Sequence, residues 1–226
     1  MGKPPKRNFE QFVRLFGASL RLDQCPLRSG VVGGGLATAG LPVGPSALPR
    51  KFIRLEVGEA DYLFTLAARA KRGLLEIGRL YGGSAFLLAW ANPSLPVYSI
   101  DIAPEDDASL ARYCAAHDVT NLRTFTGPSA AEWPEIAPGS YDLVFIDGDH
   151  SYTGCLADLE RWAPGLAPGG HVVLHDGHKR QVAGAIESFL DKNASFQAIR
   201  GPYLASQCLD HEWAGSMAHL RMRPPG

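Results

Sequence analysis

The stretch DLVFIDGDHSYTGCLADL, residues 142–159, decides how the whole chain is read. Its apolar run, Leu143 to Ile146, stops abruptly at Asp147, Gly148, Asp149 and His150, and an amphipathic stretch follows. A strand with one wet face alternates polar with apolar residues, so a run that is apolar throughout belongs to a strand covered on both sides. Helices crossing over a parallel sheet provide that cover, and ligands of such sheets bind beyond the strand carboxyl ends. The charge at this tip therefore marks a candidate site.

Working outward, GLLEIG (73–78), PVYSIDI (96–102), NLRTFTG (121–127) and GGHVVLHDG (169–177) read as further strands. EADYLFTLAARAKR, GSAFLLAWA, EDDASLARYCAAHD, YTGCLADLERWAPGL and VAGAIESFL read as helices, with a weaker helical piece around Glu132. SFQAIRG and MAHLRMR add two strand candidates in the tail. The alternation predicts a Rossmann-like, doubly wound α/β domain with a mostly parallel seven-stranded sheet, over residues 51–226. In the helix after Asp147, the spacing of Leu156, Leu159 and Trp162 turns them to the sheet and leaves Asp158, Glu160 and Arg161 outward. Residues 1–50 hold SGVVGGGLATAGLPVGPSALP, in which glycines and prolines fall too often for a regular element. This N-terminal arm reads as a lid over an acceptor, as a contact between copies in a homo-oligomer, or as a terminus ordered only by contacts.

The chain has 226 residues, 46% hydrophobic and 20% charged, which suits one soluble domain with a substantial core. Its net charge of -1 gives no broad grip on nucleic acid or an anionic membrane, so a small-molecule partner is expected. Four cysteines, Cys25, Cys114, Cys155 and Cys208, stand far apart with no CxxC pair, which excludes a disulfide framework or zinc cluster as the organising device. The basic start lacks the uninterrupted apolar core of a signal peptide, and no later segment has the length of a membrane span. A cytoplasmic protein is expected.

If the charged residues form a site, they should lie at strand ends, and they do. Glu76 and Gly78 end the first strand, Asp101 the second, Gly127 and Ser129 follow the third, and His175 and Asp176 end the fifth. Between the first strand and its helix, Gly78, Gly82, Gly83 and Ser84 allow a tight turn, and the helix amino end offers donors to a negative group. The spacing is not GxGxxG, which speaks against a nicotinamide dinucleotide. Asp101 either accepts from the hydroxyls of an adenosine ribose or caps the helix that begins near Pro104. Loop and carboxylate together point to an adenosine-bearing cofactor.

EIGRLYGGS, the acidic Asp101, TGPSA, DLVFIDGDHSY and APGGHVVLHD resemble successive motifs of the class I S-adenosylmethionine-dependent methyltransferases. The resemblance runs over residues 58–190 and is strongest to the metal-dependent O-methyltransferases of antibiotic tailoring and, more distantly, catechol O-methyltransferase. It implies that Glu76, Gly78 and Gly82 surround the methionine part of S-adenosylmethionine, that Ser84 binds its carboxylate and Asp101 its ribose, and that Ser129 and Ala130 lie beside the adenine. Relatives often carry an acidic residue where this chain has Pro128. The implied sheet order makes the first, fourth and fifth strands neighbours, so Asp147 emerges close to the reacting methyl and can converge with His175 and Asp176.

Those two carboxylates and one imidazole form part of an octahedron for a divalent cation, Mg2+ first, with Mn2+ or iron favoured more by the imidazole. His150 follows Asp147 by the step at which catechol O-methyltransferase carries its catalytic lysine, and a histidine there suits general-base work. The plainer alternatives are that Asp147 and Asp149 are loop and cap residues, His175 is a packed histidine, and His150 opens the helix. The leading expectation is O-methylation of a hydroxylated small molecule, a natural-product intermediate. The rivals are a metal-independent methyltransferase and a nucleotide-binding oxidoreductase or non-catalytic module on the same frame.

Overall fold

The computed structural model describes residues 7–16, 48, 52–199 and 217–224. Helices α1 (Phe9–Phe16) and α2 (Val57–Arg69) precede β1 (Gly73–Ile77), α3 (Gly83–Ala91), β2 (Val97–Asp101), α4 (Asp107–Ala116) and β3 (Leu122–Thr126). There follow β4 (Tyr141–Ile146), α5 (Tyr152–Trp162), β5 (His171–Leu174), α6 (Arg180–Lys192), β6 (Phe196–Ala198) and β7 (Ala218–Met222). The seven strands lie in the order β3-β2-β1-β4-β5-β7-β6, and only β7 runs antiparallel to its neighbours. This is the expected Rossmann-like sheet. None of the described helices is long and apolar enough to cross a membrane.

The strands read as apolar runs because both faces are buried. In β4, Leu143 and Phe145 join the core under α1, α2 and α3, while Val144 and Ile146 join the core under α5 and α6. The rows are in register: Ile77 pairs with Ile100 and with Ile146, and Ile146 pairs with Leu174. One residue further on stand Gly78, Asp101, Asp147 and His175, so the shared register, rather than any loop, aligns the polar rim. Backbone bonds continue across it, from Gly78 N–H to Ile100 O (2.9 Å), Asp147 N–H to Ile77 O (2.8 Å) and His175 N–H to Ile146 O (2.9 Å).

Three local expectations give way to tertiary structure. The segment expected to be an irregular arm contains α1, where Phe12 and Phe16 are buried and set their rings 5.4 and 5.7 Å from that of Trp90 on α3. Burying one such ring contributes on the order of 2–3 kcal/mol, enough to hold a two-turn helix that would not persist alone. The Gly/Pro-rich run from Ser29 to Pro49 lies, apart from Leu48, outside the described residues. The helical piece expected around Glu132 is instead a series of turns, in which Ala131 N–H donates to Pro128 O and Ile136 N–H to Trp133 O. Pro134 and Pro138 remove two donors that a helix there would need. On α5 the buried face is Cys155, Asp158, Leu159 and Trp162, so Asp158 points inward and Leu156 is only half-buried.

Candidate active site

The rim residues border a cleft of about 670 Å³ beyond the carboxyl ends of the parallel strands, within the roughly 300–1,000 Å³ of small-molecule sites. Gly78, Ser84, Asp101, Ser129, Asp147, His150, His175 and Asp176 all line it. Glu76, Gly82 and Ala130 do not: Glu76 is fully buried beneath the floor, Gly82 turns the loop, and Ala130 is exposed.

The loop after β1 is held by backbone geometry and by two carboxylates. Gly78 has φ 91°, and a Cβ there would stand 2.2 Å from Asp147 O, so no side chain can separate the two strand tips. Gly82, with φ 85°, precedes α3, and a Cβ on it would stand 2.4 Å from the Leu110 side chain. Asp101 accepts three backbone bonds: Oδ2 from Arg79 N–H (2.6 Å) and Leu80 N–H (2.7 Å), and Oδ1 from Ala103 N–H (2.8 Å). It does not cap α4, whose N-cap is Asp106 with its side chain accepting from Ser109 N–H. A carboxylate has about four lone-pair sites, so Asp101 as it stands keeps one for a ligand hydroxyl rather than two.

Arg79 carries no signal in the sequence, yet it locks this half of the site. Its guanidinium is buried and holds Asp107 through two bonds of 2.8 Å, while Nη1 donates to Ser99 O (2.8 Å) and Phe125 O (3.3 Å). Glu76 lies alongside and takes a hydrogen bond from Ser99 Oγ, but its Oε1 has no hydrogen-bond partner. Burial pushes the Glu76 carboxyl up to about 7, against the opposing pull of the Ser84 and Ser99 hydroxyls and Arg79. The backbone cradle, Ser84 in the first turn of α3 and the open site on Asp101 fit an adenosyl cofactor with an amino-acid end.

At the β4 and β5 tips, Asp147 Oδ1 lies 3.2 Å from His150 Nε2 and 3.0 Å from His175 Nδ1. His150 Nδ1 is 3.2 Å from Asp176 Oδ2 and 3.3 Å from Lys179 Nζ, and Lys179 Nζ is 2.6 Å from Asp176 Oδ2. Burial would raise the Asp147 pKa, but the neighbouring His150 and His175 imidazoles outweigh it and hold the carboxyl below its usual range. Asp176 follows the same pattern, with His175 and Lys179 as the stronger influences. Burial would lower the pKa of His175, but Asp147, Asp176 and Glu59 raise it well above the ordinary value.

One ligand atom each from Asp147, His150 and His175 lies within 4.8 Å of the others. His175 Nδ1 is buried and, despite its closeness to Asp147, has no partner in hydrogen-bonding alignment. An unanswered imidazole nitrogen beside a carboxylate fits a divalent cation. His150 joins the expected Asp147 and His175 in this cluster, and the expected Asp176 stays alongside, its Oδ2 3.5 Å from His175 Nδ1 and 2.6 Å from Lys179 Nζ. On the far side of the His175 ring, Nε2 stands 3.5 Å from Glu59 Oε2 on α2. Glu59 gave no signal in the sequence because α2 brings it in from far along the chain, whereas Lys179 stands only three residues past Asp176, at the start of α6.

Residues 75–177 match a family described as a methyltransferase domain, and the strand order β3-β2-β1-β4-β5-β7-β6 gives the chain a Rossmann-like methyltransferase fold. Among particular proteins, it is 34% identical over 132 residues to the catechol O-methyltransferase of Mycobacterium tuberculosis (strain ATCC 25618 / H37Rv), covering 57% of this chain and 58% of that relative. The chain therefore spans somewhat more than half of that relative's length. Its fold is similar to that of the cofactor-bound Rv0187 protein from MTB, at 22% identity and TM-score 0.57, with 98% of each chain covered. It is also similar to the O-methyltransferase from Bacillus cereus in complex with SAH, at 19% identity and TM-score 0.55, covering 76% of this chain and 83% of that one.

Proposed function

We propose that this protein is an S-adenosylmethionine-dependent O-methyltransferase in which a divalent cation held at Asp147, His150 and His175 orients a hydroxylated small molecule. The convergence of these three side chains at the lip of the cofactor cleft carries the proposal. Two imidazoles and one carboxylate favour Mn2+ or Fe2+ over Mg2+, which prefers oxygen ligands. When bound, the cation supplies an electrophile that acidifies the acceptor hydroxyl.

The protein's own groups do the rest. Ser84 and Asp101 would hold the two ends of the cofactor, and the glycine loop at Gly78, packed against the tip of β4, would let its backbone approach it closely. In the metal-independent alternative, His150 would instead be free to take the hydroxyl proton, with Asp147 and Asp176 beside it to stabilise the imidazolium. The acceptor oxygen then bonds to the methyl carbon as the methyl–sulfur bond breaks, and the sulfur keeps the electron pair. Positioning supplies much of the acceleration.

The acceptor class we propose is a natural-product hydroxyl, and the catechol O-methyltransferase relative makes a compound with two adjacent hydroxyls the first to test. Cys114 and Cys155 are buried free thiols, which supports a reducing, cytoplasmic setting. The deciding experiment is methyl transfer to a catechol before and after chelation. Transfer is expected to disappear with the cation and to return with Mn2+; transfer that survives chelation undiminished favours the metal-independent rival.

A further inference from the structure

We propose that Asp158, reaching into the cleft from α5, is the acceptor that reads the exocyclic amino group of the cofactor's adenine. The inference rests on the reading of this cleft as the S-adenosylmethionine site. Asp158 is 5% exposed and lines the cleft wall. A buried carboxylate is costly unless a cation or several donors answer it. Here the described residues answer it once, through the Ser129 hydroxyl on Oδ1, and the neighbouring charge that bears on it is another carboxylate, Asp149. Oδ2 receives no hydrogen bond from the described residues. Gly148 leaves it uncovered, since even a Cβ there would stand 3.5 Å away.

The side chains of Ser129 and Asp158 therefore face the cleft as acceptors alone. Ser129 commits its proton to Asp158 and shows the cleft only lone pairs, and Pro128 beside it has neither an N–H nor an acidic side chain. A ligand group that faces the Asp158 carboxylate must donate. The amino group of adenine carries two N–H donors and no net charge, whereas a carbonyl at the same ring position would set oxygen against carboxylate. Asp158 thus supplies from α5 the acidic function that the segment after β3 lacks, and it acts as a specificity-determining residue for the purine.

Calorimetric titration of the full chain with S-adenosylhomocysteine and with S-inosylhomocysteine, which carries a carbonyl in place of the amino group, tests this. Wild type is expected to bind the adenine compound about 10- to 100-fold more tightly, the range for a hydrogen bond to a charged group. Asp158→Asn, whose amide can turn an N–H towards the carbonyl, should erase most of that ratio without moving the melting temperature by more than a few degrees. A wild-type ratio near one overturns the proposal without any variant having to fold, and so does an Asp158→Asn protein that keeps the wild-type ratio. Failure of wild type to bind either compound overturns the reading of the cleft itself, which is a separate outcome.

Discussion

The two halves of the rim solve opposite problems. At the β1 and β2 tips nearly every polar group is answered within the protein: Asp101 takes three backbone bonds, and Arg79 makes four hydrogen bonds, two to Asp107 and two to carbonyls. At the β4 and β5 tips two carboxylates crowd two imidazoles, and His175 Nδ1 and Glu59 Oε1 have no aligned hydrogen bond among the described residues. One half is a cradle finished by folding, and the other is a cluster of charges whose polar atoms the described residues leave partly unanswered. The halves also carry opposite pH signs. Glu76, raised from 4.5 to about 7, stabilises the fold below its unfolded value and loses that contribution as pH rises through the folded one. Asp147 and Asp176, held below 3.8, stabilise above that value and lose their contribution as pH falls through their folded values.

Asp147→Ala should break the contrast most severely, abolishing the response to Mn2+ and lowering turnover on the order of 10²- to 10⁴-fold; steady-state rates at wild-type level would remove the second half from catalysis. Next comes Arg79→Met, which unpairs Asp107 and should cost about 3 kcal/mol in urea denaturation. That is the lower end for a broken buried pair, because Asp107 is 37% exposed. An unmoved urea midpoint would show that Arg79 does not hold the cradle. For Glu76→Gln, the stability difference between pH 4.5 and pH 8, no more than about 3 kcal/mol in wild type, should flatten. A slope that persists would assign it to another group. The smallest effect is expected from Ala130→Ser, which stands outside the cleft wall and should shift S-adenosylhomocysteine affinity less than about twofold.

The sheet was legible because parallel strands buried on both faces leave continuous apolar runs, and because polar residues gather only where the strands end. Asp101, Asp147 and His175 could be placed on one rim from those two signals. The rest needed contacts between distant segments. Arg79 looks like any loop arginine until β2, β3 and α4 close around it. On α5 the apolar face of Leu156, Leu159 and Trp162 was legible, but Asp158 was expected outward and instead has its own place beside Ser129 and Gly148. The aromatic spacing of Phe9, Phe12 and Phe16 did announce a helical face, but it was overshadowed by the glycines and prolines further along the same segment.

The common register of the strands also governs how this site can evolve. Gly78, Asp101, Asp147 and His175 each follow a residue of one paired row, Ile77, Ile100, Ile146 and Leu174. Successive strand side chains point to opposite faces, so inserting or deleting one residue within β4 would swing its terminal carboxylate away from its neighbours. Descendants of this chain can exchange side chains along that row, whereas gains and losses of length should accumulate in connections such as residues 127–140.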